Sequence, residues 1–91
     1  MQQVSVKGIG RVDAITKGKI VDMKNYNWSK YSSYKSVISS FKEQGMRYRQ
    51  LIGATINGQK INSVEFFFSS KPPNQVIDAL KGIGVKVNWI K

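Results

Sequence analysis

Residues 37–47 read VISSFKEQGMR, and this segment decides the predicted fold. Its apolar residues recur at helical spacing, and a glycine typical of a helix end follows, then a strand-like stretch. Residues 76–86 read VIDALKGIGVK and match the first segment at Val, Ile, Lys and Gly. A duplicated ββα unit explains this match, and so does the convergence of two helix–glycine–strand junctions.

Working outward from this segment, apolar periodicity predicts strands and helices in the order β-β-α-β-β-α-β. We therefore expect an α+β protein with an antiparallel sheet of about five strands and two helices on one face. A chain of 91 residues suits a single domain over residues 1–91. The predicted strands span residues 4–15, 20–24, 46–56, 60–69 and 85–89. The first predicted helix spans residues 31–44, and the second starts at Pro72-Pro73-Asn74 and ends at Gly82 or Gly84.

Turns are predicted at residues 16–19 and at Asn57-Gly58, which separates the third and fourth strands. A two-residue loop at the second turn leaves neither face of its hairpin apolar. We therefore prefer a register shifted by one residue, in which Tyr48 pairs with Phe68. The opposite face of the hairpin then carries Arg47, Arg49, Glu65 and Phe67.

The chain carries fifteen Lys and Arg against five Asp and Glu, a formal net charge of +10. A small domain with this charge is expected to meet a polyanion, since neutralised phosphates release condensed counterions. Most of the basic residues are Lys, which favours attraction to a nucleic-acid backbone over the reading of bases. A solubilising surface, or one adapted to an acidic protein, is the alternative.

The chain contains no His and no Cys. Their absence excludes thiolate zinc sites and removes the commonest catalytic bases and nucleophiles. We therefore expect a non-catalytic protein with no cofactor and no metal. Because the sequence shows neither a long apolar run nor an export signal, we also expect a cytoplasmic protein that does not enter membranes.

Two surfaces are candidates for nucleic-acid binding. The sheet face opposite the helices is predicted to combine basic groups with an aromatic ring, since charge follows the backbone and a ring stacks on a base. An ordinary solvated face or a dimer interface is the alternative. The candidates on this face are Arg47, Arg49, Lys86, Lys7 and Arg11, with Phe67 as the ring.

The second surface is the loop that reads KNYNWSKY over residues 24–31. Lys24, Tyr26 and Lys30 are expected to be exposed and to contact nucleic acid, because every base offers a face on which a ring stacks. Trp28 is expected to be buried as an anchor for the loop.

Asp13 on one predicted strand and Asp22-Met23-Lys24 on the next are the one enzyme-like arrangement. They resemble the hairpin of metal-dependent nucleases, in which two carboxylates hold the metal and a lysine assists the attacking water. The chain departs from that pattern because no proline precedes Asp13, Asp stands where Glu is more frequent, and no N-terminal helix offers another acid. We favour the interpretation that both carboxylates face solvent and offset lysines.

The last third of the chain resembles a strand–helix–strand module of some phage and plasmid DNA-processing proteins. The resemblance is carried by VEFFF at residues 64–68, Lys71-Pro72, Leu80-Lys81, Gly84 and Lys86. It implies a protein from a phage or another mobile element.

The predicted function is therefore weakly sequence-specific, non-catalytic binding of nucleic acid, with single-stranded DNA or RNA favoured. The alternative is a small phage-type inhibitor that binds a host protein, such as a nucleic-acid-processing or defence enzyme, through its positive surface. A nuclease ranks below both. A homodimer is also open, because residues 4–6 or the last strand can present an unpaired edge.

Overall fold

The computed structural model describes residues 4–6 and 10–90, and no helix in that part is long and apolar enough to cross a membrane. The two α-helices are α1 (Lys35–Arg49) and α2 (Asn74–Gly82), and a short 3-10 helix spans Trp28–Lys30. The strands are β1 (Val4–Val6), β2 (Gly10–Val12), β3 (Ala14–Thr16), β4 (Lys19–Lys24), β5 (Thr55–Ile56), β6 (Gln59–Lys60), β7 (Ser63–Phe68) and β8 (Lys86–Trp89).

Four of the strands form one mixed sheet in the order β3-β4-β7-β8. β3 is antiparallel to β4, whereas β4 and β7, and β7 and β8, are parallel pairs. The predicted α+β class with two helices is confirmed, but the fully antiparallel sheet is wrong. Parallel neighbours require a crossover connection, and α1 and α2 lie in the two crossovers of this sheet.

The first predicted strand, residues 4–15, is divided among three short strands. β1 pairs antiparallel with β2, so that Val4 lies opposite Val12. The predicted turn at residues 16–19 is confirmed, since Lys17 and Gly18 both have positive φ and join β3 to β4.

The prediction that Gly45 ends the first helix is wrong, because α1 continues to Arg49. Of the strand predicted over residues 46–56, only β5 forms. A Cβ built on Gly45 would lie 2.8 Å from Val85 Cγ2 and 3.0 Å from Ile83 Cδ1. The glycine therefore permits the close approach of α1 to the segment before β8 and does not serve a left-handed helix cap.

The predicted hairpin register is also wrong, because α1 continues through Tyr48 and no strand forms there. Strand β7 pairs with β4 and β8 instead. Asn57-Gly58 does form the predicted turn, at φ values of 51° and 76°, but it joins only the two-residue strands β5 and β6. The duplicated ββα unit is also wrong. Gly45 lies within α1, whereas Gly84 follows α2 at positive φ.

One face of the mixed sheet carries the core. Along β7, Val64, Phe66 and Phe68 are buried, while Glu65 and Phe67 alternate with them on the opposite face. The two helices contact each other and pack on the buried face, which confirms their predicted placement on one side of the sheet. They contribute Phe41, Tyr48, Val76 and Leu80 to the core.

Candidate functional site

Strand β4 places two charged side chains on the helix-covered face. Asp22 lies beside Phe66 of β7 and Lys24 beside Phe68 in the parallel register, and both aromatic rings point into the core. The helix α1 packs over this face and adds polar groups of its own. We call Asp13, Asp22, Lys24, Gln44 and Tyr48 the acid–lysine cluster.

Asp22 and Lys24 form a buried ion pair. Lys24 Nζ lies 2.7 Å from Asp22 Oδ2, and the side chains are only 10% and 11% exposed. The ammonium also lies 4.9 Å from the ring centroid of Phe66 and 5.2 Å from that of Phe41. Among the described residues, none directs a hydrogen bond of good geometry at Asp22 Oδ2. The ion pair therefore neutralises the carboxylate, and Asp22 Oδ2 is buried against the Lys24 ammonium.

Asp13 reaches the same place from the bend between β2 and β3. Its Oδ2 accepts a 2.6 Å hydrogen bond from the backbone N–H of Met23, and its carboxyl group lies near that of Asp22. Burial raises the pKa of Asp22, the contact with Asp13 raises it further, and Lys24 opposes both effects. The interpretation of both acids as solvent-facing is therefore wrong for Asp22, which is buried.

The helix α1 contributes two residues that the sequence analysis missed. Lys24 Nζ donates a 2.5 Å hydrogen bond to Gln44 Oε1. Tyr48, one turn later, is buried, and its pKa is raised by this burial and secondly by the charge of Asp22. The spacing of four residues puts both side chains on one helix face, which the sequence could have indicated. Only the crossover from β4 through α1 brings that face to Lys24.

The donor set of the cluster fits a hard divalent cation. Mg²⁺ is commonly held by one or two carboxylates together with water and substrate phosphate, and Asp13 and Asp22 provide two neighbouring carboxyl groups. The observation that supports this fit is that Asp22 Oδ2 is buried without a hydrogen bond of good geometry. The same oxygen lies 2.7 Å from the Lys24 ammonium, which a bound cation would have to displace. Among the described residues, no group of three or more Asp, Glu, His or Cys side chains is placed to hold a metal ion.

Next to the cluster, the segment after β4 gathers four aromatic rings. Trp28 is 9% exposed, as predicted for an anchor, and its Nε1–H donates a 3.3 Å hydrogen bond to the Ser70 carbonyl. Tyr26 stacks on Trp28, with ring centroids 5.2 Å apart and planes 16° apart. Tyr26 is half-buried, whereas exposure was predicted. We call Tyr26, Trp28, Tyr31 and Tyr34 the aromatic loop.

The sheet face opposite the helices, which we call the open sheet face, carries two of the predicted binding residues. Phe67 lies there on β7 with Asn88 of β8 beside it, and Lys86 lies beside Glu65. Lys19 pairs with Glu65 at 3.3 Å, so part of the positive charge on this face is neutralised. The exposed apolar side chains Met23 and Ile90 lie with Phe67 around a shallow depression.

The other predicted binding residues are dispersed. Arg47 and Arg49 lie on α1, away from Phe67, because the segment predicted as their strand is helical. Arg47 pairs with Glu43 at 3.0 Å on the exposed side of the helix. The prediction that Lys24 is exposed is wrong, since it lies within the acid–lysine cluster, whereas Lys30 is exposed as expected. Lys7 lies outside the described residues, and Arg11 is placed in β2 by its backbone alone.

Comparison with known proteins assigns no family to this arrangement: no family model, no curated protein and no solved structure matches the chain.

Proposed function

We propose that the protein hydrolyses phosphodiester bonds of nucleic acid with the help of a divalent cation. The observation that carries this proposal is the meeting of Asp13, Asp22 and Lys24 in one partly buried cluster. Composition alone favoured binding without chemistry, because His and Cys are lacking. Hydrolysis at two carboxylates and a lysine needs neither residue.

Four residues of the cluster have a role in this proposal. Asp13 and Asp22 would hold the cation, and the charge of a bound cation would stabilise the phosphate and lower the pKa of a bound water. Lys24 orients the attacking water and stabilises charge on the phosphate oxygens, and Gln44 positions Lys24 through its hydrogen bond. In the hydrolysis, the attacking water gives a proton to solvent as its oxygen forms a bond to phosphorus, the P–O bond to the leaving strand breaks, and the leaving oxygen takes a proton from solvent.

Nucleic acid is the phosphodiester that fits the charge of the chain. The net charge is +10, and the sequence between Met23 and Lys42 contains no acidic residue. Lys30 and Lys35 are exposed in that segment, which leads from the cluster into α1. A polyanionic substrate would be drawn to this region by its phosphates.

The proposal is tested by incubating the purified protein with labelled single-stranded and duplex DNA and RNA in Mg²⁺ or Mn²⁺. Cleavage should cease in EDTA and fall about a hundredfold or more in Asp22→Asn and in Lys24→Met, since each change removes a group that acts on the reacting phosphate. Asp78→Asn and Lys60→Met are matched controls on exposed residues and should cleave normally. Cleavage that persists in EDTA, or wild-type rates in Asp22→Asn, would contradict the proposal, as would intact substrates throughout.

A second candidate function is non-catalytic binding of nucleic acid through the open sheet face. It is favoured by the aromatic ring of Phe67 on β7 and by the exposed Lys86 on the neighbouring strand β8. A ring among basic groups is the minimum for holding a single strand.

Phe67→Leu combined with Lys86→Ala should then weaken oligonucleotide binding in EDTA. If this variant binds as well as the wild type, the open sheet face is not the binding surface. If the wild type itself binds no nucleic acid, an acidic protein partner becomes the better explanation of the charge.

A further inference from the structure

We propose that the aromatic loop is a stacking subsite that holds an unpaired base beside the acid–lysine cluster, so that the substrate is single-stranded nucleic acid. This inference rests on the proposed function and names the substrate class of the same site. Bases in a duplex stack on each other, whereas an unpaired base is free to stack on a protein ring.

The first argument is the position of the loop relative to the cluster. Tyr26 follows Lys24 by two residues, and its ring meets the ring of Phe41 edge-on at 5.2 Å. The same Phe41 ring lies 5.2 Å from Lys24 Nζ. The pKa of the Tyr26 phenol is raised by burial, secondly by Tyr31, and also by the charge of Asp22. One aromatic ring therefore separates the loop from the group proposed to act on the phosphate.

The second argument is that the loop is anchored on one side and free on the other. Trp28 is buried, and Tyr34 Oη donates a 3.3 Å hydrogen bond to its carbonyl. Tyr31 is 38% exposed and lies 6.0 Å from Tyr26 and 6.3 Å from Trp28. Tyr31 is thus the outer ring of a supported group of rings, and it is available to a base.

The backbone around the rings is held as well. The Tyr26 N–H donates to Ser69 Oγ at 3.3 Å, and Ser70 Oγ donates to the Tyr26 carbonyl at 3.3 Å. These bonds tie the loop to the end of β7. A platform that is already ordered loses little conformational entropy when it binds.

The third argument is charge. The 3-10 helix ends at Lys30, next to Tyr31 in the chain, and Lys35 begins α1 close by. Both lysines are exposed, and no acid occurs in the sequence between Met23 and Lys42. A ring with ammonium groups beside it binds a base and its phosphates together, which favours a nucleic-acid strand as the occupant.

The experiment measures equilibrium binding in EDTA, where no hydrolysis is expected, by fluorescence anisotropy of labelled 12-mers. Single-stranded DNA, single-stranded RNA and a duplex of the same sequence are compared. At least one single strand should bind more tightly than the duplex. Tyr31→Leu should weaken binding of that strand about tenfold, Tyr31→Phe should retain it, and Ile52→Ala, at a 39% exposed residue elsewhere, should not change it.

The two proposals fail in different ways. If the wild type cleaves no substrate but Tyr31→Leu still loses single-strand binding, the phosphodiesterase proposal fails and the stacking subsite stands. If the wild type cleaves in Mg²⁺ but binds the duplex as tightly as either single strand, the subsite is overturned and the phosphodiesterase stands. Unchanged single-strand binding by Tyr31→Leu would also overturn the subsite.

Discussion

Lys24 shows how much of the candidate site depends on the surroundings of a single side chain. Its ammonium is held by Asp22 and Gln44 and lies against the rings of Phe41 and Phe66. The sequence predicted an exposed lysine in a binding loop, because a lysine beside asparagine and tyrosine is usually solvated. Side chains alternate between the two faces of β4, so the sequence alone places Asp22 and Lys24 on the same face as Ile20. That face is buried only because α1 packs over it, which the sequence does not show.

Replacing Lys24 by Met should destabilise the protein by about 3 kcal/mol at neutral pH, because it leaves Asp22 as a buried charge without its partner. Lys24 lowers the pKa of Asp22, so its removal raises that already raised pKa further above the value in the unfolded chain. Stability linked to a raised pKa is present at low pH and is lost as the pH rises through it. The deficit should therefore be larger at pH 8 than at pH 5.

Urea unfolding of the wild type and Lys24→Met at both pH values measures this difference, with Lys35→Met as the control at an exposed lysine. Equal deficits at the two pH values would mean that Asp22 does not respond to the loss of Lys24.

A divalent cation should stabilise the folded protein against heat, by about 2.7 kcal/mol at a concentration one hundred times its dissociation constant. The raised pKa of Asp22 makes protons competitors of the cation, so the stabilisation should shrink as the pH falls toward that pKa. Thermal unfolding in Mn²⁺ and in EDTA measures the effect. Asp13→Asn should lose it and Asp78→Asn should keep it, and an equal response from these two variants would place the cation elsewhere.

At the scale of elements, α1 was predicted at the correct place in the chain, but its C-terminal end was predicted wrongly. Apolar spacing located the helix, but its end was misplaced because a glycine has two opposite uses, in a left-handed cap and in close packing. Gly45 is buried within α1, and the residues near it in space come from the segment before β8. Contacts this distant in sequence leave no local pattern, so the length of α1 and its contribution to the site could not be predicted.

Gly45→Ala should destabilise the protein by about 1 kcal/mol, because the cost of overpacking against Val85 exceeds the gain in helix propensity. Gly82→Ala in α2 is the matched control, since a Cβ there meets nothing within 4 Å and should stabilise by about 0.5–1 kcal/mol. Chemical denaturation of both variants measures the contrast. A stabilised Gly45→Ala would show that α1 can move away from Val85 without cost.

At the scale of the whole molecule, the net charge predicts a polyanionic ligand but does not predict where on the protein that ligand binds. Within the described residues, ion pairs engage Asp22, Glu43 and Glu65. Because the chain has fifteen basic residues and only five acids, many of the basic residues remain available to phosphates. The sequence predicted the α+β class and both helices from periodicity alone. It did not predict the parallel strand pairs, because strand direction is set by crossovers that periodicity does not reveal.

Binding of a single-stranded oligonucleotide in EDTA should weaken steeply with salt, with a log–log slope of about −0.7 for each phosphate contacted. Lys30→Ala should reduce this slope by about one such increment if Lys30 contacts a phosphate. Glu43→Gln on the exposed side of α1 is the comparison that changes charge away from the aromatic loop. Affinity that is independent of salt between about 50 and 200 mM would exclude phosphate contacts as the basis of binding.

The parallel ladder between β4 and β7 also bears on how fast the site can form. Lys19 on β4 bonds to Glu65 on β7, 46 positions later in the chain. A ladder of this kind closes a long loop before it gains any contact energy, so it belongs to the slow events of folding. The β3–β4 hairpin can assemble early and bring Asp13 near Asp22, but the rings against Lys24 arrive with α1 and β7. Assembly of the acid–lysine cluster is therefore expected to follow the kinetics of the complete fold and not those of the β3–β4 hairpin.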